Sequence, residues 1–385
     1  MKRRTFIKTG SLAAVAATSS VSAFAGNSKS GDALDIPKLI NFTRDGLDFS
    51  PLEYSRLLSR IAETQGIKAD SYSRYGVIEK LEKKMAKVLG KESAVFMPTG
   101  TLANNIAIKQ LAGQDDRVIV QAESHIYNDS GDGAQKLNNL NIIPLAPHQT
   151  TFTLKEVKEV VARAKAGRVK TGVGVISIES PVRRTDNAIF DFQEMQSISQ
   201  YAHEEGIRMH LDGARLFNAC VHTGKSPAEY AQLFDTVYVS LYKNFNAASG
   251  AILAGSQKFC KNLFHIRRMF GGGMPQVWPF AAIAYQYVDS FLADYRETVK
   301  QADELFELLE KNQAFKIEKI KNGSNVIKFF VEGTNRAQFR ANLKAKGIIF
   351  PSPDKTFNGF KIKINPSMLN SQPKSLADVF IEALD

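Results

Sequence analysis

Short apolar segments recur along this chain between amphipathic stretches, and that alternation limits the folds open to it. "SAVFM", "RVIVQ", "GVGVISIES", "IRMHL", "TVYVSL" and "GAILAG" are too short for stable helices and are mostly rich in Val, Ile and Leu. Between them, "YGVIEKLEKKMAKVLG" places Ile78, Leu81, Met85 and Val88 at helical spacing, and Gly90 ends the run. "LANNIAIKQLAG" and "FQEMQSISQYAHEEG" also read as helices. Strands that are apolar on both faces belong in a sheet covered on both sides. The expected fold class is therefore α/β, with a mostly parallel sheet flanked by helices.

From Phe291 the texture changes. A long helical pattern, "FLADYRETVKQADELFELLEKN", leads into "NVIKFFVEG", "AQFRANLKAKG" and "GFKIKIN", which read strand, helix, strand. We divide the mature chain into a lead over 26–50, a large domain over 51–290 and a small C-terminal α+β domain over 291–385. A core of this size needs no disulfide staples. Cys220 and Cys260 have no CxxC or Cys/His spacing, so no metal site is expected and both read as buried small apolar residues.

The opening "MKRRTFIKTG" and the small-residue stretch ending in Ala23-Phe24-Ala25 form an address rather than a structural element. The order Arg-Arg-x-Phe-x-Lys resembles a twin-arginine export signal over residues 1–25. It implies a periplasmic or secreted protein, exported already folded. The net charge is +11, and four of those charges lie in this leader. The other basic residues are scattered, which argues against nucleic acid as a partner. The chain has no apolar run long enough to serve as a membrane anchor.

Open parallel sheets bind ligands beyond the carboxyl ends of their strands. Asp212 follows "IRMHL", Lys243 follows "TVYVSL", and His125 lies in the loop after "RVIVQ". Gly100 and Thr101 lie after "SAVFM", where a helix starts. Singly, each has a plain reading: a cap, a solvated charge, a satisfied imidazole, a turn. Together they suit pyridoxal phosphate (PLP). A lysine amine can condense with its aldehyde. A carboxylate can keep its pyridine nitrogen protonated. An imidazole can stack on the ring, and helix-start amides can hold the phosphate.

"HLDGARLFNA", "SLYKNFNAASGAILAGS", "GKESAVFMPTGTLANN" and "MFGGGMPQ" resemble the L-threonine aldolase family. That family belongs to the β-eliminating-lyase branch of fold-type I PLP enzymes. The likeness runs from about Ile40 to Asn365. It implies Lys243 as the Schiff-base lysine, Asp212 at the pyridine nitrogen and His125 on the ring. It places Gly100 and Thr101 at the phosphate, with Arg215 near the cofactor and the substrate carboxylate. Tyr72, in "DSYS", matches a tyrosine the family contributes from a neighbouring subunit, so a homodimer or homotetramer with shared sites is implied.

The likeness weakens at substrate contacts. Arg44 stands where the family has a serine, and Lys361 where it has an arginine; both are expected to contact substrate. "ESPVRRTDN" brings in Arg183 and Arg184, which fit either a second acidic group, a phosphate charge or solvent. Pro275 replaces an arginine near the phosphate. Three activities stay open at this point. They are aldol cleavage of a threonine-like β-hydroxy-α-amino acid to glycine and an aldehyde, β-elimination or other Cα chemistry on another amino acid, and non-catalytic binding.

Overall fold

A computed structural model describes residues 39–169 and 171–385. The twin-arginine segment and the first part of the lead lie outside the described residues. Among the described residues, twelve strands form three sheets. They are β1 (Ile40–Asn41), β2 (Ser93–Met97), β3 (Arg117–Gln121), β4 (Asn141–Leu145), β5 (Val173–Glu179) and β6 (Arg208–Asp212), then β7 (Thr236–Ser240), β8 (Ala251–Gly255), β9 (Phe315–Lys319), β10 (Val326–Val331), β11 (Ile348–Ile349) and β12 (Phe360–Lys363).

The main sheet has seven strands in the order β2-β8-β7-β6-β5-β3-β4. Only β8 runs against its neighbours. The α/β expectation therefore matches the molecule. Because β8 is reversed between β2 and β7, its starting end lies at the same edge as the finishing ends of the other strands. That edge gathers the ends of β2, β3, β5, β6 and β7. Strands β5 to β8 are buried along nearly their whole length, as their unbroken apolar runs require. The helix Gly100–Ala112 packs across β5, β6, β7 and β8. Its Thr99 cap accepts a hydrogen bond from the Leu102 amide.

Elements not anticipated from the sequence include the helices Pro51–Gln65, Leu154–Lys165, Trp278–Tyr287 and Pro373–Glu382, and strands β4 and β9. Pro144 hides β4, but β4 is an edge strand, where a missing donor is tolerated. The helix Leu154–Lys165 carries a complete capping box between Thr153 and Glu156, a local signal that was there to be read.

The C-terminal region holds the antiparallel sheet β12-β10-β9. Edge-to-face contacts among Phe329, Phe350, Phe360 and Phe380 fill its core. Residues at the end of the lead join this core: β1 pairs in parallel with β11, and Phe42 is fully buried against Phe350 and Phe380. This anchoring delivers Arg44 and Asp45 to the edge of the main sheet. Cys220 and Cys260 are buried and unpaired. Among the described residues, no helix is long and apolar enough to cross a membrane.

Candidate active site

Two cavities adjoin at Tyr242 and Lys243, which line both. The inner one, about 180 Å³, brings together Gly100, Thr101, His125, Asp212, Arg215 and Lys243. These are the residues singled out as cofactor contacts. The outer one, about 610 Å³, is lined by Arg44, Asp45, Tyr54 and Lys363 among others.

Each inner residue is placed by a strand end. Asp212 is the last residue of β6 and only 5% exposed. Its Oδ2 accepts from Asn104 Nδ2 at 2.5 Å and its Oδ1 from the Ala214 amide at 3.1 Å. Lys243 sits in the one-turn helix Leu241–Asn244 directly after β7. Burial, with the Arg215 charge nearby, pulls its amine down to about 8. An amine so lowered is partly neutral near neutral pH and can act as a nucleophile.

His125 opens a one-turn helix after β3. Its backbone amide donates to Glu179 Oε2 at 2.6 Å, and its Nε2 lies 3.2 Å from Thr101 Oγ1. Glu179 ends β5, directly across from Asp212 in the sheet register. Its other oxygen, Oε1, accepts from the Arg183 amide at 3.0 Å. Burial and the Asp212 charge push the Glu179 carboxyl up to about 7.

Gly100 begins its helix against the Tyr238 ring. A Cβ there would stand 1.9 Å from the Tyr238 hydroxyl, so only glycine fits. Gly100 and Thr101, whose amides have no partner within the helix, line the cavity. A lowered amine, a buried carboxylate without a bound cation, an imidazole and a helix start together fit a pyridine aldehyde phosphate.

The substrate side differs from the sequence reading. Arg215 is buried, and its Nε and Nη2 donate to the two oxygens of Asp45 at 3.1 and 3.0 Å. Asp45 also accepts from Lys363 Nζ at 3.2 Å and from Asn325 Nδ2 at 3.1 Å. The two basic neighbours hold its carboxyl far below the usual carboxylate range, against its burial. Lys361 does not line either cavity. Its ammonium pairs with Asp186 at 2.9 Å and lies 3.8 Å from Asp354, while Lys363, two residues on, reaches the outer cavity. Arg44 lines that cavity while pairing with Asp48 at 3.2 Å.

Arg183 lines the inner cavity, and both it and Arg184 pair with Asp129, at 2.7 and 2.9 Å. Tyr72 is 43% exposed and lines neither cavity. Its amide donates to Pro275 O at 2.8 Å, and the Arg268 guanidinium stacks 5.0 Å from its ring.

Asn104, His210, Glu179, Asp45 and Lys363 were not anticipated. Asn104 carried a faint signal, as a polar residue inside an otherwise apolar helical run. Asp45 carried none, because its partners lie far along the chain.

The Beta-eliminating lyase family matches residues 62–331. Low-specificity L-threonine aldolase of Candida albicans is 32% identical over 213 residues, 54% of this chain and 56% of that protein. Low-specificity L-threonine aldolase 1 of Arabidopsis thaliana is 26% identical over 275 residues, 70% of this chain and 77% of that protein. The match spans about half the length of the Candida albicans, Saccharomyces cerevisiae and Eremothecium gossypii relatives. Among solved structures, a Listeria monocytogenes protein assigned as an L-allo-threonine aldolase superposes with a TM-score of 0.74 at 27% identity, covering 90% of this chain and 96% of that one. The mostly parallel sheet flanked by helices and the small antiparallel sheet are thus those of a fold-type I enzyme. Since the family match takes in well over half of the sequence and the strand ends that carry Gly100, His125, Asp212 and Lys243, this chain belongs to the beta-eliminating lyase family.

Proposed function

We propose that the protein is a PLP-dependent carbon–carbon lyase that cleaves a threonine-like β-hydroxy-α-amino acid to glycine and an aldehyde. The observation that carries this reading is that Lys243 and Asp212 line one cavity with the helix start at Gly100. The named activities of the Candida and Arabidopsis relatives support it. When bound there, PLP supplies an aldehyde for the amine and an electron-accepting ring.

Lys243 would hold the cofactor and, once displaced, carry a proton at its Nζ. Its lowered amine suits that exchange near neutral pH. Asp212 would face the ring nitrogen, and the amides at Gly100 and Thr101 the phosphate. His125, oriented through its amide by Glu179, would cover the ring. Arg215 would meet the substrate carboxylate with Nη1, the part of its fork that Asp45 leaves unused.

The test is to load the protein with PLP and incubate it with threonine, allo-threonine and serine, assaying aldehyde, glycine and pyruvate. Aldehyde with equimolar glycine supports the proposal. Pyruvate from serine without aldehyde supports β-elimination instead, a reading favoured by the position of Lys361 away from the cavities. No turnover and no spectral response to any amino acid leaves a binding protein.

We also propose export through the twin-arginine route and a homodimer or homotetramer in which Tyr72 reaches the neighbouring site. Exposed Tyr72, Tyr75, Met269 and Phe270 support a covered face there. Fractionation of cells expressing the full chain and light scattering of the purified protein test the two claims.

A further inference from the structure

Behind Asp212 lies a line of buried polar groups that the proposed reaction does not by itself require. Asn104 Nδ2 donates to Asp212 Oδ2 at 2.5 Å, and Asn104 Oδ1 lies 2.9 Å from His210 Nε2. His210 Nδ1 in turn lies 2.8 Å from Thr236 Oγ1. All four residues are at most 5% exposed. The fold dictates their placement. His210 and Asp212 are two apart on β6 and so share a face. Thr236 is the register partner of His210 on β7, and Asn104 comes from the helix packed across both strands.

Chemistry fixes the direction of each proton. A carboxylate can only accept, so the Asn104 amide must turn its NH₂ group to Asp212. Its carbonyl then faces His210, which must carry a proton on Nε2. Burial pulls the His210 imidazole down to about 4, so near neutral pH it has one proton only. Nδ1 is therefore bare and accepts the Thr236 hydroxyl proton. Every donor in the line points toward Asp212.

We infer that Thr236, His210 and Asn104 form a polarised hydrogen-bond relay that fixes the Asp212 carboxylate against the cofactor's ring nitrogen, which makes Asn104 and His210 positioning residues for the electron-accepting ring. The inference rests on the PLP reading above. A chain of aligned donors strengthens its terminal bond more than an isolated amide would. With the Ala214 amide on Oδ1, the Asn104 bond on Oδ2 holds the Asp212 carboxylate in one orientation.

The test uses holoenzyme loaded with PLP carrying ¹⁵N at the ring nitrogen, observed by NMR at one mildly alkaline pH. Wild type should show a protonated ring nitrogen. Asn104→Ala and His210→Leu should shift the signal toward the unprotonated form and lower kcat about 10- to 100-fold, the usual cost of losing an outer-shell partner, with little change in KM. His210→Gln, which keeps a donor for Asn104, should restore both readouts. Thr236→Val, a near-isosteric change, should move the signal in the same direction by less and keeps the test alive if His210→Leu fails to fold. Wild-type signals and rates in Asn104→Ala and Thr236→Val would overturn the relay. If wild type refuses the cofactor, the functional reading fails. The relay is then judged on the apoprotein, where ¹⁵N shifts must report His210 protonated on Nε2; protonation on Nδ1 would overturn it.

Discussion

Asp212 and Asp45 are buried carboxylates a short way apart in one site, and they are satisfied in opposite ways. Asp212 receives only neutral donors, from Asn104 and the Ala214 amide. Asp45 receives the fork of Arg215 as well as Lys363 and Asn325. A buried anion without a protein cation is costly unless something else brings the charge. Asp212 therefore suits an incoming cation, such as the proposed pyridinium, whereas Asp45 is already neutralised by the chain itself. On the proposed reading, a substrate carboxylate would use the Arg215 donor that Asp45 does not occupy.

The largest effect is expected at Lys243: Lys243→Ala should lower turnover at least about 10³-fold, in the range for losing a central acid–base group, while leaving the fold intact. Steady-state kinetics beside a melting curve would show this split. Next comes the pair of carboxylates. Asp45→Ala should destabilise the protein by about 3–5 kcal/mol, because it strands a buried Arg215. In the cofactor-free protein, Asp212→Asn should cost about 1–3 kcal/mol, because its NH₂ group must face the Asn104 or the Ala214 N–H while no buried protein cation loses its partner. Denaturant titration of both variants tests the comparison directly, and equal losses would erase it.

Acid should act on both regions, with the sign set by lowered pKa values. His210 is pulled from 6.5 to about 4, so its contribution is present above pH 6.5 and lost as pH falls toward 4. Asp45 follows at lower pH: its contribution is present above its ordinary value of 3.8 and lost as pH falls through its depressed folded value. His210→Gln should flatten the first limb by on the order of 1–3 kcal/mol and leave the second. The smallest effect belongs to the site's rim. Arg184→Ala removes an exposed pair with Asp129 and should change stability by no more than about 1 kcal/mol.

The same contrast governs what could be read in the sequence. The strand–helix alternation and the strand-end residues Gly100, His125, Asp212 and Lys243 were legible, because local pattern places a strand end and topology gathers such ends at one edge. Asn104 and His210 were in view inside quoted segments, but their link depends on how a helix crosses β6, which spacing does not reveal. The substrate side was least legible. Asp45 meets Arg215, Asn325 and Lys363 only after β1 pairs with β11, a contact between residues more than three hundred apart. Lys361 and Lys363 alternate in phase on β12, so sequence alone had no means of choosing the one that reaches the cavity.

Borohydride reduction of the PLP-loaded protein, followed by peptide mapping, locates the lysine that holds the cofactor. A single pyridoxyl group on Lys243 is expected. A label on another lysine, or none after full loading, would contradict it.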